Sequence, residues 1–208
     1  ITTEEELKLF EAGNRRITAE ACVHHLWFED QSYTTLGSMI KCNPAIKKAS
    51  DRDAIRKAVK DGRISILATD HAPHTWEEKQ GTYFNAPSGL PLIQHTLLLM
   101  MEMCEQNCFS PELIVERACH APARLFQVEE RGYLREGYWA DIVVVDPTGK
   151  TQVNDSQLFS KCGWSPFSQM TFTNSIETTI VSGKIAYHQG ALNMDCRGLR
   201  AEFPKERR

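Results

Sequence analysis

SILATDHAPHTWEEKQG, residues 65–81, runs from an apolar strand straight into an acid and two histidines. The stretch RISILAT at 63–69 is almost continuously apolar, which is typical of a strand buried on both faces in a parallel sheet. Such strands usually end in turn residues, but this one ends in Asp70, His71 and His74, residue types that bind metals or move protons. In α/β folds the chemistry lies at the carboxyl ends of the strands. The stretch therefore predicts an α/β fold with Asp70 in a site at a strand end.

An alternative interpretation of these residues stays open. In it, Asp70 caps a turn and the two histidines make hydrogen bonds at the surface. The long connection from 70 to 90 favours a functional interpretation, because structureless loops beyond about 12–15 residues are uncommon in compact domains unless they serve function.

The first 126 residues alternate between helical and strand patterns. Helices are predicted to begin at Thr3, at Ser50, near Pro91 and at Ser110, and Gly62 is predicted to end the second of them. Strands are predicted at 17–23 and 63–69. Alternation of this kind predicts βα units around a parallel sheet. Residues 127–208 carry short strands with glycine turns, so we expect a separate, mostly β domain there, with Ser182 and Gly183 as a two-residue hairpin loop.

Composition excludes several classes of protein. The net charge of −3 over 208 residues gives neither a basic surface for nucleic acid nor a polybasic patch for a membrane. No apolar run reaches the roughly 18 residues that a membrane span needs. Seven cysteines, an odd number without a CxxC pair, predict reduced thiols and a cytoplasmic location.

Other polar residues follow the predicted strand at 17–23. His24 and His25 end it, and because neighbouring strand residues face opposite ways, we expect at most one of them to face a common site. The alternative is a structural histidine bonded to the backbone. Asn43 precedes Pro44, which is ordinary turn chemistry. The remaining candidates are interpreted as solvated or structural: Lys47, Lys48, His95, His120 and His188.

Taken together, several stretches resemble dihydroorotases, members of the amidohydrolase superfamily. ATDHAPHTWEEK at 68–79 is similar to the signature of that family. The other similar stretches are ITAEACVHHLWF at 17–28, NPAIK at 43–47, APSGLP at 86–91, GYLREGYWADIVVVD at 132–146 and WSPF at 164–167.

The resemblance implies a metal-dependent (β/α)8 TIM-type barrel followed by a small β domain. Residues 1–126 would form the C-terminal part of the barrel, and 127–208 a mostly β domain, a composite β-sandwich with a C-terminal tail. The implied reaction is the reversible interconversion of L-dihydroorotate and N-carbamoyl-L-aspartate in pyrimidine synthesis, with Zn²⁺ as the cofactor.

The resemblance also implies roles for individual residues. Asp70 matches the family's metal-binding aspartate, which doubles as the proton shuttle. His74 and Asn43 match positions that bind the substrate, and Ala86 and Pro87 match a stretch whose backbone contacts the pyrimidine ring. Two further candidates for the site are His25 and His71.

Two departures from the family pattern matter. Lys47 stands where the family often has Arg, so the bidentate fork of an arginine is lost. The family's His-x-His pair, its carboxylated Lys or Asp, and two further histidines are not found. We therefore expect the chain to be the C-terminal portion of a longer polypeptide, and expect these 208 residues alone not to give a stable, active monomer.

Two rival functions stay open. One is another cyclic amidohydrolase, such as a hydantoinase or allantoinase. The other is a non-catalytic, dihydroorotase-like scaffold subunit that supports aspartate transcarbamoylase. The predicted partners are a small-molecule substrate, a second copy of the chain in a homodimer, and aspartate transcarbamoylase.

Overall fold

The computed structural model describes residues 1–14 and 16–204. Arg15, in the predicted barrel part, and residues 205–208, at the end of the predicted β domain, lie outside the described residues. Among the described residues, no helix is both long and apolar enough to cross a membrane.

Helices dominate the first 126 residues. The α-helices are α1 (Val23–Trp27), α2 (Tyr33–Leu36), α3 (Ala49–Asp61), α4 (Trp76–Lys79), α5 (Thr96–Glu105), α6 (Pro111–Val115) and α7 (Ala121–Phe126). Single 3₁₀ turns lie at Glu6–Leu9, Asp30–Ser32, Gly37–Ile40, Ile93–His95 and Asp155–Gln157, and a π-helical turn, Glu116–His120, joins α6 to α7.

In the part of the chain that the structure describes, eight strands form three sheets. They are β1 (Glu20–Cys22), β2 (Ile66–Ala68), β3 (Ile142–Asp146), β4 (Thr151–Gln152), β5 (Thr171–Phe172), β6 (Ser175–Val181), β7 (Lys184–His188) and β8 (Ala191–Leu192). β1 and β2 pair in parallel, whereas β3, β6, β7 and β8 form an antiparallel sheet in that order and β4 pairs with β5.

The parallel pair is the part of the fold that positions the site. Ala21 on β1 lies beside Leu67 on β2, and both side chains are buried in the main core. Because the two strands are parallel, their carboxyl ends lie at the same edge. The predicted parallel arrangement is therefore confirmed for these two strands.

Two predicted elements are wrong. The helix expected to begin at Thr3 is only a 3₁₀ turn, Glu6–Leu9. The strand expected at 17–23 is only three residues long, and the chain turns at Val23 into α1. The Phe28 N–H donates to the His24 carbonyl over 3.0 Å, and the Arg56 side chain donates to the Leu26 carbonyl over 2.7 Å. These bonds satisfy carbonyls at the end of α1, so a helical turn replaces the end of the strand.

Helix boundaries follow local chemistry. Gly62 ends α3 in the left-handed conformation, as predicted. The expected start at Ser50 is wrong by two residues, because Lys48 occupies the N-cap position. The predicted cap at Ser110 is confirmed, since its hydroxyl accepts a hydrogen bond from the Leu113 N–H.

The main core joins the helices to part of the second half of the chain. Phe167 and Phe172 are completely buried in the same cluster as Leu26 and Leu99. By contrast, the antiparallel sheet leaves large apolar side chains such as Val144 half exposed. The predicted boundary between 126 and 127 stays a prediction.

Candidate active site

Asp70 lies immediately beyond β2, where the parallel strands end. Its φ angle of 50° is in the left-handed region, which Asp tolerates better than most residues, so the chain can turn sharply after Thr69. The Asp70 side chain is exposed. Burial first, and the charge of Asp70 second, raise the pKa of the Cys22 thiol at the end of β1 to about 12. The ends of β1 and β2 therefore share one electrostatic environment, as their parallel pairing requires.

Two histidines and a cysteine form a buried cluster at the same edge. The ligand atoms of His24, His25 and Cys42 all lie within 4.8 Å of one another, and the two imidazole rings have centroids 4.3 Å apart. His24 is only 1% exposed. The backbone of Thr69 lies close enough to favour the protonated form of His24, but no described residue makes a hydrogen bond to either of its ring nitrogens.

The prediction that only one of these histidines faces a common site is wrong. It assumed strand geometry, in which neighbours face opposite ways, but both residues lie on α1. On a helical turn the side chains of His24 and His25 point in directions about 100° apart. Both rings therefore reach Cys42.

The cluster has the chemistry of a metal-binding group. Burial lowers the pKa of His24 to about 4 and of His25 to about 3, so both rings are neutral near pH 7. Neutral imidazole is the form that binds zinc. Burial raises the pKa of the Cys42 thiol to about 11, so this thiol stays protonated unless a cation displaces its proton. Lys47, interpreted as a solvated charge, is partly buried, and its charge acts on both His25 and Cys42.

His71 holds the loop that follows β2. Its Nδ1 accepts hydrogen bonds from the Leu92 N–H over 2.9 Å and from the Ile93 N–H over 3.3 Å. An accepting Nδ1 carries no proton, so the neutral ring has its proton on Nε2. His71 therefore caps the 3₁₀ turn that precedes α5 and fixes the far end of the 70–92 loop.

His74 is held on three sides. Its Nε2 lies 3.1 Å from the Ser88 carbonyl, its Nδ1 lies 3.5 Å from a carboxylate oxygen of Glu78, and its own carbonyl accepts the indole N–H of Trp164 over 2.7 Å. A substrate carboxylate bound at His74 would have to share the Nε2 proton with Ser88. The role of His74 in substrate binding stays a prediction.

Two loops meet beside these residues. The Gly89 N–H donates to the Lys41 carbonyl over 2.9 Å, which brings the 86–90 segment against the loop that contains Asn43. Asn43 is exposed, and its peptide bond to Pro44 is cis. The predicted substrate-binding loops are therefore neighbours in the fold.

The backbone groups of Ala86 and Pro87 already have partners. The Ala86 N–H donates to the Thr82 carbonyl over 3.1 Å, and the Ala86 carbonyl accepts from the Lys41 ammonium. Pro87 has no N–H, and its carbonyl accepts from the Lys79 ammonium over 3.0 Å. Among the described residues the Ser88 N–H has no hydrogen-bond acceptor. Among the described residues, the Ser88 N–H, one residue beyond the predicted pair, is therefore a free donor of this segment.

Sequence reasoning missed three residues that build the site: Lys41, Lys79 and Trp164. Lys79 and Trp164 lie inside stretches that carry the resemblance, EEK and WSPF. Nothing in the pattern around Lys41 marks it, because a lysine two residues before an Asn-Pro turn reads as a surface charge.

Comparisons with known proteins agree with the resemblance found in the sequence. Residues 2–186 match the model of the amidohydrolase family. The chain is 35% identical over 182 residues to a dihydroorotase of Clostridium acetobutylicum, covering 87% of this chain and 43% of that protein. It is 30% identical over 190 residues to a dihydroorotase of Methanothermobacter thermautotrophicus, covering 91% of this chain and 43% of that protein.

Two solved structures have a similar fold. The L-hydantoinase of Arthrobacter aurescens superposes with a TM-score of 0.86 at 23% identity, over 93% of this chain and 45% of that one. The dihydroorotase of Saccharomyces cerevisiae, solved with 5-fluoroorotic acid, gives a TM-score of 0.68 at 16% identity, over 85% of this chain and 50% of that one.

These likenesses confirm the predicted fold class, part of an α/β barrel of the TIM type. The chain spans less than half the length of the two curated relatives named above. Its match to the family model covers 185 positions, from 2 to 186, which is most of the 208 residues. The chain therefore belongs to the amidohydrolase family.

Proposed function

We propose that this chain is part of a dihydroorotase, which interconverts L-dihydroorotate and N-carbamoyl-L-aspartate in pyrimidine synthesis. The observation that carries the proposal is Asp70, an exposed carboxylate at the carboxyl end of β2, in a chain 35% identical to a dihydroorotase. An exposed carboxylate at this edge is accessible to a small substrate, and this edge is where α/β barrels carry their chemistry.

Asp70 would move the proton in this reaction. As a water oxygen bonds to the carbonyl carbon of the ring amide, Asp70 accepts a proton from that water. It then gives the proton to the departing ring nitrogen as the C–N bond breaks. The reverse sequence closes the ring.

The loop residues would bind the acidic end of the substrate. The His74 ring and the exposed Asn43 amide offer N–H donors, and the Ser88 N–H is a backbone donor without an acceptor among the described residues. Donors of this kind suit a carboxylate, and hydrogen bonds to a charged acceptor are stronger than neutral ones. Ala86 and Pro87 would hold the backbone on which Ser88 lies.

Zn²⁺ is the metal that we propose. Asp70 would hold it from the end of β2. The buried ring nitrogens of His24, which have no hydrogen-bond partner among the described residues, support a role for that ring and for His25 as ligands. When bound, zinc lowers the pKa of a coordinated water to about 7 and polarises a carbonyl group.

A hydantoinase-like activity is the second candidate, favoured by the TM-score of 0.86 to a hydantoinase. Two substrates that differ by one group separate the candidates. Dihydrouracil has the ring of dihydroorotate without its carboxylate, so a dihydroorotase should discriminate strongly between them, because binding donors built for a carboxylate are left unpaired without it.

The experiment uses the full-length polypeptide that contains this chain. We expect hydrolysis of L-dihydroorotate with at least about a hundredfold preference in kcat/KM over dihydrouracil and hydantoin, and about one or two zinc ions per chain by elemental analysis. Preference for hydantoin would favour the second candidate. Absence of activity on all three compounds, in a protein that is folded and loaded with zinc, would favour the scaffold subunit.

Association and location complete the proposal. We propose a homodimer, an association with aspartate transcarbamoylase and a cytoplasmic location, the last supported by seven cysteines that are all free thiols. Light scattering of the purified protein, alone and mixed with the transcarbamoylase, measures both associations.

A further inference from the structure

Lys79 is a buried lysine whose ammonium group, among the described residues, is hydrogen-bonded to backbone carbonyls alone. Its side chain is completely buried, at 0% exposure. The ammonium donates to the carbonyls of Pro87 and Gly89 over 3.0 Å each, and to the carbonyl of Lys41 over 3.3 Å. It also lies 5.6 Å from the ring centre of Trp164, within cation–π range.

This arrangement is costly. No carboxylate of the described residues lies within ion-pair distance of Lys79, and a buried charge without a counter-ion is destabilising unless hydrogen bonds compensate for the loss of water. Burial accordingly lowers the pKa of Lys79 to about 8. An apolar side chain at position 79 would fill the same space without this cost. The ammonium group and its three carbonyl contacts therefore indicate a role other than packing.

The explanation lies in the direction of one peptide group. In a trans peptide, the carbonyl and the following N–H point in opposite directions. Because the Pro87 carbonyl points at Lys79, the Ser88 N–H points away from it. The Ser88 carbonyl accepts from His74 on the next peptide. Two side chains therefore fix the orientation of both peptide groups that flank the Ser88 Cα.

The loop at 82–90 is also held by the buried side chains of Ala86 and Leu90 and by the edge-on contact of Tyr83 with Tyr33. Phe84 is 90% exposed, so this aromatic side chain contributes almost no apolar burial. The inner carbonyls of the loop are bound by Lys79, and the outer carbonyls of Tyr83, Phe84 and Ala86 are bound by the ammonium of Lys41. Lysine–carbonyl bonds thus hold the segment from both sides.

We propose that Lys79 is a positioning residue that fixes the Pro87–Ser88 peptide so that the Ser88 N–H donates to an anionic group of the substrate. This inference rests on the proposed function, because it takes the carboxylate of dihydroorotate as that anionic group. Lys79 itself touches no substrate. It acts by presenting a backbone donor, at a point where the alternative orientation of the peptide would present a carbonyl to an anion.

The test compares K79M with K60M in the full-length polypeptide. Methionine keeps the length of the apolar stem and removes the ammonium, and Lys60 is an exposed lysine on α3 that matches it as a control. We expect KM for L-dihydroorotate to rise about tenfold to a hundredfold in K79M, while kcat changes by less than about threefold. Hydrogen exchange of the amides at 82–92 should quicken at least about tenfold. K60M should match the wild type in each measurement.

Disorder of the 82–92 loop in K79M would not by itself distinguish a positioning role of Lys79 from a purely stabilising one. Lysine labelling therefore provides a further measurement on the wild type. An acetylating reagent should modify Lys79 far more slowly than Lys60, and L-dihydroorotate should slow Lys79 further without affecting Lys60. This measurement applies even if K79M does not fold.

The outcomes separate the two proposals. The role of Lys79 would be overturned if a folded K79M kept the KM and the hydrogen exchange of the wild type. It would also be overturned if dihydroorotate did not change the rate of Lys79 labelling in an active wild type. Either result would leave the proposed function standing. Suppose that the folded wild type neither binds nor hydrolyses dihydroorotate, but that hydrogen exchange at 82–92 is faster in K79M than in the wild type. This result would overturn the proposed function and with it the substrate role of Lys79, while the lysine–carbonyl contacts would stand.

Discussion

Trp164 donates its indole N–H to the backbone carbonyl of His74 over 2.7 Å, although the two residues are 90 positions apart in the sequence. The indole is 2% exposed and also lies beside the ammonium of Lys79. The second half of the chain therefore reaches back to the strand-end loop and fixes one of its predicted site residues. The geometry of the site depends on residues from both predicted domains.

Replacing Trp164 by Phe should weaken this connection. The His74 carbonyl would lose its donor, and a buried acceptor without a partner costs about 1–3 kcal/mol. We expect W164F to lower the free energy of unfolding by that amount, measured by urea denaturation of the full-length protein. W76F is the matched control, because Trp76 is half exposed and should change stability by less than about 0.5 kcal/mol. Equal effects of the two substitutions would contradict the structural role of Trp164.

Asp70→Asn should abolish activity while the fold is retained. Asn accepts the left-handed conformation at φ 50° but neither shuttles a proton nor supplies a full negative charge to a metal. We expect kcat/KM for dihydroorotate to fall at least about a hundredfold with an unchanged unfolding midpoint. D195N, at an exposed aspartate near the end of the described chain, serves as the control. Activity of D70N within about threefold of the wild type would remove Asp70 from the proposed mechanism.

Gly89→Ala should be far more damaging than Gly81→Ala. Both glycines have positive φ angles, +141° and +107°, but only at Gly89 would an added Cβ meet a backbone atom, the Ala72 carbonyl oxygen at 2.3 Å. We expect G81A to cost about 1–2 kcal/mol from backbone strain alone and G89A to cost at least about 2 kcal/mol more. Comparing the urea midpoints of the two variants isolates the close contact. Similar midpoints would mean that the 86–90 segment does not pack against Ala72.

Acid should destabilise the protein through its buried histidines. Burial lowers the pKa of His95 to about 4, whereas the unfolded value is about 6.5. The unfolded state therefore takes up the proton first, so the stability that neutral His95 contributes is lost as the pH falls from about 6.5 to about 4. For a shift of this size the loss is roughly 2–3 kcal/mol by pH 4.5.

His95→Gln tests this pH dependence. Glutamine does not titrate but retains hydrogen-bonding capacity toward Ser165, whose hydroxyl lies 3.2 Å from His95 Nδ1. The fall in unfolding free energy between pH 7 and pH 4.5 should be smaller in H95Q than in the wild type by roughly 2–3 kcal/mol. His24 and His25 should keep part of the acid sensitivity. Identical pH profiles would show that His95 is protonated in the folded protein or exposed to solvent.

Local sequence signals predicted several elements of the fold. The apolar run before Asp70 indicated β2, and Gly62 and Ser110 marked helix ends where the structure has them. Ser182 and Gly183 form the predicted hairpin loop between β6 and β7, both with positive φ angles. Each of these signals depends on the conformation of one or two residues and needs no knowledge of distant contacts.

The errors have a common cause in tertiary contacts. Alternating apolar residues predicted a strand reaching His24, but burial of both histidines and the bond from Arg56 to the Leu26 carbonyl favour a helical turn instead. Lys79 could not be identified either, because a lysine on a short polar helix normally faces solvent. Its burial depends on carbonyls of the following loop and on Trp164, far along the chain.

Lys79 can be regarded as a tethered cation. Three carbonyl oxygens about 3 Å from one positive centre resemble the coordination that proteins offer to a monovalent metal ion, but here the ion is covalently attached to the chain. A tethered ion does not dissociate, and its local concentration does not depend on the buffer. We therefore expect the order of the 82–90 loop, and with it the proposed orientation of the Ser88 N–H, to be independent of the supply of sodium or potassium.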